Sequence, residues 1–234
     1  MTISRLSKII LFLIVTVAFP ARNNCAENIF NKIFTNSEHK ESVNKNDIKV
    51  PEGLYDLSLD ENLNILPAGK YSEGVRQHQK NQALALMKLG YNVEIMRNGE
   101  IIIVSIPSDE LFVSLENRLT DNASEKLNIF TKFAGTPDLY RIMLAMHTDN
   151  TGSEEYKQNI TQQRVNTVFD WFKSNIVNSD YIIPYAMSDT NPVVENNSYK
   201  NRRKNRRLEI YLVPGKKMLD AVKHKQKKYL KIIK

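Results

Sequence analysis

The sequence predicts helices packed on one face of a small β-sheet, in an α/β or α+β arrangement. Two β-prone runs flank Asn98-Gly99, which indicates a hairpin because both residues tolerate positive φ. Farther along, apolar residues recur at helical spacing over 123–133 and 153–174, and the run 207–213 alternates as a strand does. Strand-like and helical segments therefore follow one another along the chain.

Each predicted element has a local signal that marks its start or end. A helix over 73–89 ends before Gly90, since glycine readily adopts the positive φ found just after a helix. Pro107 breaks the chain after the hairpin, and residues 181–185 start the connection toward the last strand. The other elements are strands over 91–97 and 100–106, a helix over 123–133, a strand over 139–146, a helix over 153–174 and a strand over 207–213.

The composition supports one ordinary hydrophobic core and excludes a disulfide framework. Hydrophobic residues make up 41% of the 234, and Cys25 is the only cysteine, so neither an intrachain disulfide nor a cysteine-based metal site can form. The net charge of +7 is concentrated over 200–234, where only Glu209 and Asp220 oppose the Lys and Arg residues. Such a segment attracts nucleic acid, acidic lipid or wall polymers alike.

Residues 1–26 are predicted to be a signal peptide or an N-terminal anchor. Arg5 and Lys8 precede an apolar run over 9–19, which is shorter than the roughly 20 residues that span a bilayer. Export is therefore predicted, and it argues against a nucleic-acid partner. Three alternatives remain at this end: a plain cleaved signal, an uncleaved anchor, or lipid attachment to Cys25.

Composition divides the rest of the chain into a tether and a folded part. Residues 27–72 are rich in Asn, Lys, Glu and Ser, which predicts a poorly ordered tether. Residues 73–100 provide a helix and a hairpin strand that lead into a domain over 101–214, and 215–234 form a basic C-terminal helix or tail. This tail either contacts lipid or wall polymer or packs on the domain. Its packing residues would be Met218, Val222 and Leu230.

Three segments in fixed order carry the residue types of a binding site. His147-Thr148-Asp149-Asn150-Thr151-Gly152-Ser153 ends a predicted strand, Thr161-Gln162-Gln163-Arg164 lies on the next helix, and Asn205-Arg206-Arg207 opens the last strand. This set resembles the OmpA-like peptidoglycan-binding domain. The resemblance covers about 101–214 and implies an α+β fold, a βαβαβ sandwich with helices packed on a small mixed sheet. The flanking sequence is similar to OmpA-family proteins of Bacteroidetes-type bacteria.

The resemblance assigns Asp149 and Arg164 to diaminopimelate, a component of the peptidoglycan stem peptide. This amino acid carries ammonium and carboxylate groups, which suit an anion beside a bidentate guanidinium. Arg206 is expected to face the ligand, and Arg207 to face solvent. The full set of ligand-binding residues that the resemblance implies is Asp149, Arg164, Thr148, Thr151, Gly152, Thr161 and Arg206.

Two residues near this set depart from the family pattern, and one histidine needs its own interpretation. Lys157 replaces a common Asn and is expected to add positive charge near Arg164. Thr161 replaces Ser and keeps the hydroxyl group. His147 is predicted to be structural, because a His-x-Asp pair without a third ligand is weak evidence for a metal.

The resemblance implies a non-catalytic protein that tethers an envelope component to peptidoglycan. The sequence contains no nucleophile with a matching base and no metal-ligand set, so no catalytic residue, metal or cofactor is predicted. The expected location is the periplasm, at the outer membrane and cell wall. Two alternatives are an inner-membrane-anchored, stator-like wall anchor and a polyanion binder acting through the tail. Outer-membrane proteins, a membrane surface and a second copy of the chain are further candidate partners; nucleic acid is not.

Overall fold

The computed structural model describes residues 54–226, Leu230, Ile232 and Ile233. The predicted signal or anchor over 1–26 and the predicted tether over 27–53 lie outside the described residues. Within the part of the chain that the structure describes, no helix combines the length and the apolar character needed to cross a membrane.

The described residues form a five-stranded mixed sheet with the strand order β1-β2-β5-β3-β4. β3 and β4 are parallel, and every other neighbouring pair is antiparallel. This arrangement confirms the predicted α+β fold with a small mixed sheet. The strands are β1 Asn92–Met96, β2 Ile101–Pro107, β3 Tyr140–His147, β4 Ile182–Ser188 and β5 Arg207–Pro214.

The three long predicted helices form close to their expected limits. The first ends in a Schellman motif, in which Tyr91 N donates to Leu86 O at 3.2 Å and Gly90 has a φ of +89°. The longest begins at Ser153, whose hydroxyl oxygen accepts a hydrogen bond from Tyr156 N. The helices are α1 Leu59–Asn62, α2 Ser72–Lys88, α3 Ser108–Leu111, α4 Ala123–Ala134, α5 Glu154–Asn175, α6 Tyr199–Asn205 and α7 Lys216–Lys223.

The sequence prediction missed strand β4 and helices α1, α3 and α6, and the hairpin connection differs in length. Residues 182–188 form strand β4 and not only a connection; β4 is an edge strand, where Pro184 is tolerated. Helix α6 lies between β4 and β5, where the sequence predicted only a connection. The hairpin is confirmed, but Met96 pairs with Ile101, so residues 97–100 make a connection longer than two residues.

One face of the sheet packs against the helices. On this face Val93 of β1 and the even-numbered residues of β2 to β5 contact the apolar sides of α2, α4 and α5. Strand alternation explains the pattern, since successive side chains point to opposite faces. The strand residues of this layer include Ile102, Val104, Ile106, Ile142, Leu144, Met146, Leu208, Ile210 and Leu212.

The second face is covered by a segment that the sequence assigned to the tether. Leu54 and Leu63 are buried against it, and Asn62 donates to Leu54 O and to the Tyr185 hydroxyl oxygen. The prediction of a poorly ordered tether is therefore wrong for 54–72, because a few apolar side chains within a polar composition suffice to pack there. Leu54 and Leu63 pack in one cluster with Ile101, Met143, Ala145, Ile183, Tyr211 and Val213.

The C-terminal segment also packs on the domain, which was one of the two alternatives predicted for the tail. Met218 and Ala221 on α7 are fully buried, and Val222 and Leu230 pack against the same core. A Cβ at Gly215 would overlap the Asp138 carbonyl oxygen, so the chain enters α7 at a point where only glycine fits. Lys216 and Lys223 of α7 are exposed.

Candidate functional site

The candidate site lies at the end of the sheet where β3 ends and β5 begins. His147 pairs with Arg207 across these antiparallel strands, so the chain after β3 and the chain before β5 are neighbours. β2 ends at the same edge, where Pro107 pairs with Arg207 and Ser108 N donates to Arg206 O. Segments far apart in the sequence are thereby brought together.

Asp149 is held at this edge by two hydrogen bonds to its carboxylate. Its Oδ1 accepts a bond from Thr151 N at 2.8 Å, and its Oδ2 accepts one from Arg206 Nη1 at 2.5 Å. The residue is only 3% exposed. Burial raises the pKa of Asp149, but the bonds from Thr151 and Arg206 outweigh it and leave the pKa below the ordinary 3.8. The carboxylate is therefore ionised at neutral pH.

Arg164 projects from α5 toward the chain that follows β2. Its Nε and Nη2 both donate to Glu116 O, at 3.0 and 2.8 Å, and its Nη1 donates to the Ser108 hydroxyl oxygen at 2.9 Å. The guanidinium carbon lies 4.9 Å from the Phe112 ring centroid. A guanidinium has five N–H donors, so two remain without a partner among the described residues. Burial lowers the pKa of Arg164, yet an arginine stays charged.

Arg206 stands between these two residues. Besides its bond to Asp149, its Nε lies 3.9 Å from Asp109 Oδ1, and Asp109 follows Ser108, the partner of Arg164. Among the described residues, Asp149 and Arg164 form no direct ion pair. The edge thus carries one buried carboxylate and two guanidinium groups. The loop that follows β2 contacts both guanidinium groups, through Ser108 and Asp109.

Residues 111–206 match the OmpA family. The chain therefore contains an OmpA-family domain. This match covers all three motifs up to Arg206, and the sheet adds β1 and β2 on its N-terminal side and β5 and α7 on its C-terminal side.

Individual relatives of the OmpA-family domain are distant and match only in part. The chain is 25% identical over 125 residues to YiaD of Escherichia coli, which is 53% of this chain and 57% of YiaD. It is 35% identical over 79 residues to the peptidoglycan-binding protein ArfA of Mycobacterium tuberculosis, which is 34% of this chain and 24% of ArfA. The chain thus spans less than two thirds of each of these relatives.

A solved structure has the same fold as the OmpA-family domain. A MotB-like protein from Desulfovibrio vulgaris superposes with a TM-score of 0.54 at 19% sequence identity. The superposition covers 62% of this chain and 97% of that protein. At this identity the likeness concerns the fold alone, and it agrees with the α+β architecture predicted from the sequence.

Three of the smaller predicted site residues lie near Asp149 in the OmpA-family domain. Thr151 supplies the N–H bond to the carboxylate, and Thr148 N donates to Ser188 O on β4, which holds the turn against the sheet. Gly152 has a φ of +97°, and an added Cβ would lie 2.7 Å from Tyr156 Cδ1. A side chain is therefore excluded at Gly152 for two reasons.

Thr161 does not join this group. It is buried, and its hydroxyl donates within its own helix, to the carbonyl oxygens of Lys157 and Gln158. The structure therefore does not place the Thr161 hydroxyl where a ligand could reach it, because the preceding turn of α5 satisfies it.

Lys157 does not act as a free positive charge near Arg164, contrary to the sequence expectation. Its Nζ lies 2.5 Å from Glu154 Oε1 and 2.7 Å from Asp189 Oδ2, and the side chain is almost completely buried. Hydrogen bonds to Asp189 and Glu154 raise the pKa of Lys157, so the ammonium is charged and neutralised locally. Asp189 follows β4, a strand that the sequence did not predict.

A buried polar cluster supports the site from the second face of the sheet. Arg207 is buried, although the sequence analysis expected it to face solvent. Its Nε donates to Glu209 Oε1 at 2.7 Å, and its other nitrogens donate to two backbone carbonyls. His147 Nε2 lies 3.2 Å from Glu209 Oε2. Burial lowers the pKa of His147, which keeps the ring neutral at pH 7. The described residues contain no group of three His, Cys, Asp or Glu side chains able to hold a metal.

The residues that sequence reasoning missed are those brought in by strand pairing. Ser108, Asp109 and Glu116 contact the site only because β2 pairs with β5 and ends at the same edge. No local pattern distinguishes them in the sequence. The useful signal was the break at Pro107, which marks where this segment leaves the sheet.

Proposed function

We propose that this protein binds peptidoglycan non-covalently through diaminopimelate of the stem peptide and tethers an envelope component to the wall. The observation that carries the proposal is one ionised, buried carboxylate beside two guanidinium groups, those of Arg206 and Arg164. The relative ArfA, named as a peptidoglycan-binding protein, supports the ligand class. The proposed location is the periplasm, at the outer membrane and cell wall.

The charges at the site suit the zwitterionic end of an amino acid. A carboxylate offers about four lone-pair positions, and Asp149 uses two in the bonds from Thr151 and Arg206. The rest can accept bonds from a ligand ammonium. The two unpartnered N–H groups of Arg164 can receive the ligand carboxylate, with Arg206 completing its environment. Because Glu116 and Ser108 hold the Arg164 guanidinium, it is oriented before the ligand arrives.

Replacing Asp149 with alanine is expected to weaken binding to diaminopimelate-containing peptidoglycan by at least about tenfold. The change removes the acceptor for the ligand ammonium, and a hydrogen bond to a charged group contributes about 1.5–3 kcal/mol. The full chain would be sedimented with purified peptidoglycan, and the bound fraction measured over a concentration series. Asp121→Ala, which removes an exposed carboxylate, is the matched control. Undiminished sedimentation of a folded Asp149→Ala protein would contradict the site assignment.

Arg164→Lys is expected to weaken binding nearly as much as Arg164→Ala. Lysine keeps the charge but lacks the planar set of donors that can hold Glu116 O and Ser108 while also receiving a carboxylate. Calorimetric titration of a soluble diaminopimelate-containing muropeptide into each variant would measure the loss. Arg97→Lys, an exposed change at the opposite end of the sheet, is the control. Near wild-type affinity in Arg164→Lys would show that only the charge matters there.

A further inference from the structure

Two exposed aromatic rings flank the candidate site. Tyr199 is 70% exposed and Tyr156 is 48% exposed. Every other Tyr, Phe and Trp side chain in residues 54–226 is buried or half-buried. Tyrosine is enriched at binding interfaces, because its ring is apolar while its hydroxyl can stay in water. Both rings stand at the edge that carries Asp149, and neither is needed for the core.

The Tyr199 ring is oriented by the site itself. Tyr199 is the first residue of α6, which Ser198 caps by accepting a hydrogen bond from Asn201 N. The guanidinium carbon of Arg206 lies 5.6 Å from the ring centroid, and the same guanidinium donates to Asp149. The ring therefore adjoins the charged group through Arg206 while most of its surface stays open to solvent.

Tyr156 occupies the other side, next to Arg164. The Tyr156 ring packs against Gly152, and a Cβ added to Gly152 would overlap that ring. Burial lowers the pKa of Arg164, and Tyr156 opposes this slightly. Tyr156 thus contacts the turn after Asp149, and Tyr199 contacts Arg206, the partner of Asp149. A ligand bound at Asp149 and Arg206 therefore has the exposed Tyr199 ring beside it.

We propose that Tyr199 binds the sugar of a peptidoglycan fragment whose stem peptide occupies Asp149 and Arg164. This inference rests on the proposed function and names the second chemical group that the site recognises. A pyranose has a face of C–H groups and an edge of hydroxyl groups, which matches a ring with an open apolar face and a polar tip. A charged occupant is disfavoured there, because Arg206 already pairs with Asp149.

The experiment compares two probes on the full chain by calorimetry: a disaccharide-peptide that contains diaminopimelate, and the same stem peptide without sugars. We expect wild type to bind the sugar-bearing probe about tenfold more tightly, a gain of the size of one aromatic contact. Tyr199→Ala should remove that difference and leave the affinity for the sugar-free peptide unchanged. Tyr199→Phe, which retains the ring face but lacks the hydroxyl, should keep most of the difference between the two probes. Val177→Ala, an exposed apolar change between α5 and β4, is the control.

Each outcome separates this inference from the proposed function. Equal weakening of both probes by Tyr199→Ala would show that the ring only positions Arg206, which overturns the sugar contact. Equal binding of the two probes by wild type would also overturn it while the proposed function stands. If wild type binds neither probe, the proposed function itself fails, and the inference fails with it.

Discussion

Replacing Glu209 with alanine is expected to lower the free energy of unfolding by about 3–5 kcal/mol, the usual effect of breaking a buried ion pair from one side. Glu209 accepts bonds from Arg207 Nε at 2.7 Å and from the Tyr211 hydroxyl at 2.6 Å. Without it, the Arg207 guanidinium remains buried with only backbone carbonyls as partners. Urea unfolding followed by circular dichroism would measure the change.

The control for this prediction is Glu94→Ala on β1, where the side chain is exposed and the expected change is within about 0.5 kcal/mol. A double variant, Arg207→Met with Glu209→Leu, should recover much of the loss, because it removes both charges together. A loss in Glu209→Ala no larger than in Glu94→Ala would mean that the buried pair does not stabilise the fold.

The same pair predicts a pH dependence. Burial raises the pKa of Glu209, but the nearby His147, the hydrogen bond from Tyr211 and the charge of Arg207 together outweigh burial and bring the pKa to about 2, from the ordinary 4.5. A folded-state pKa below the unfolded value means that the ionised group stabilises the fold above pH 4.5. This contribution is lost as the pH falls from 4.5 toward 2. The stability difference between wild type and Glu209→Gln should therefore shrink over that range.

Deleting residues 216–234 is expected to lower the melting temperature by more than about 10 °C. The deletion removes the buried Met218, Leu219 and Ala221 from the core, and a single large buried side chain contributes about 2–5 kcal/mol. In a protein of this size, 1 kcal/mol shifts the melting temperature by about 2–4 °C. Thermal unfolding by circular dichroism and calorimetry would measure the shift.

The matched variant changes the charge of the tail but leaves its buried side chains in place. Lys216, Lys223 and Lys225 are exposed, so replacing all three with glutamine should leave the melting temperature within a few degrees of wild type. It should reduce salt-sensitive retention on anionic wall polymer, because exposed charge contacts are screened by salt. A truncated protein that melts like wild type would show that the packing of α7 does not stabilise the domain.

Local order was readable from the sequence because it depends on neighbouring residues. The helical spacing of Leu127, Phe130 and Phe133 predicted α4, and all three are buried. The glycine after α2 and the Asn-Gly hairpin were likewise found where the backbone requires positive φ. The ordered motifs containing Asp149 and Arg164 resemble the OmpA-like domain, and that resemblance implied the same α+β fold.

The tertiary structure alone decided which distant residues meet. Asp189 neutralises Lys157 because β4 lies beside β3, and Arg207 is enclosed by the chain between β4 and β5, where Asn191 and Asn205 accept its hydrogen bonds. The carbonyl of Glu116 reaches Arg164 because β2 pairs with β5. These contacts arise from strand order and register, which join segments far apart in the chain. Composition and periodicity describe each segment separately, so they contain no information about which segments become neighbours.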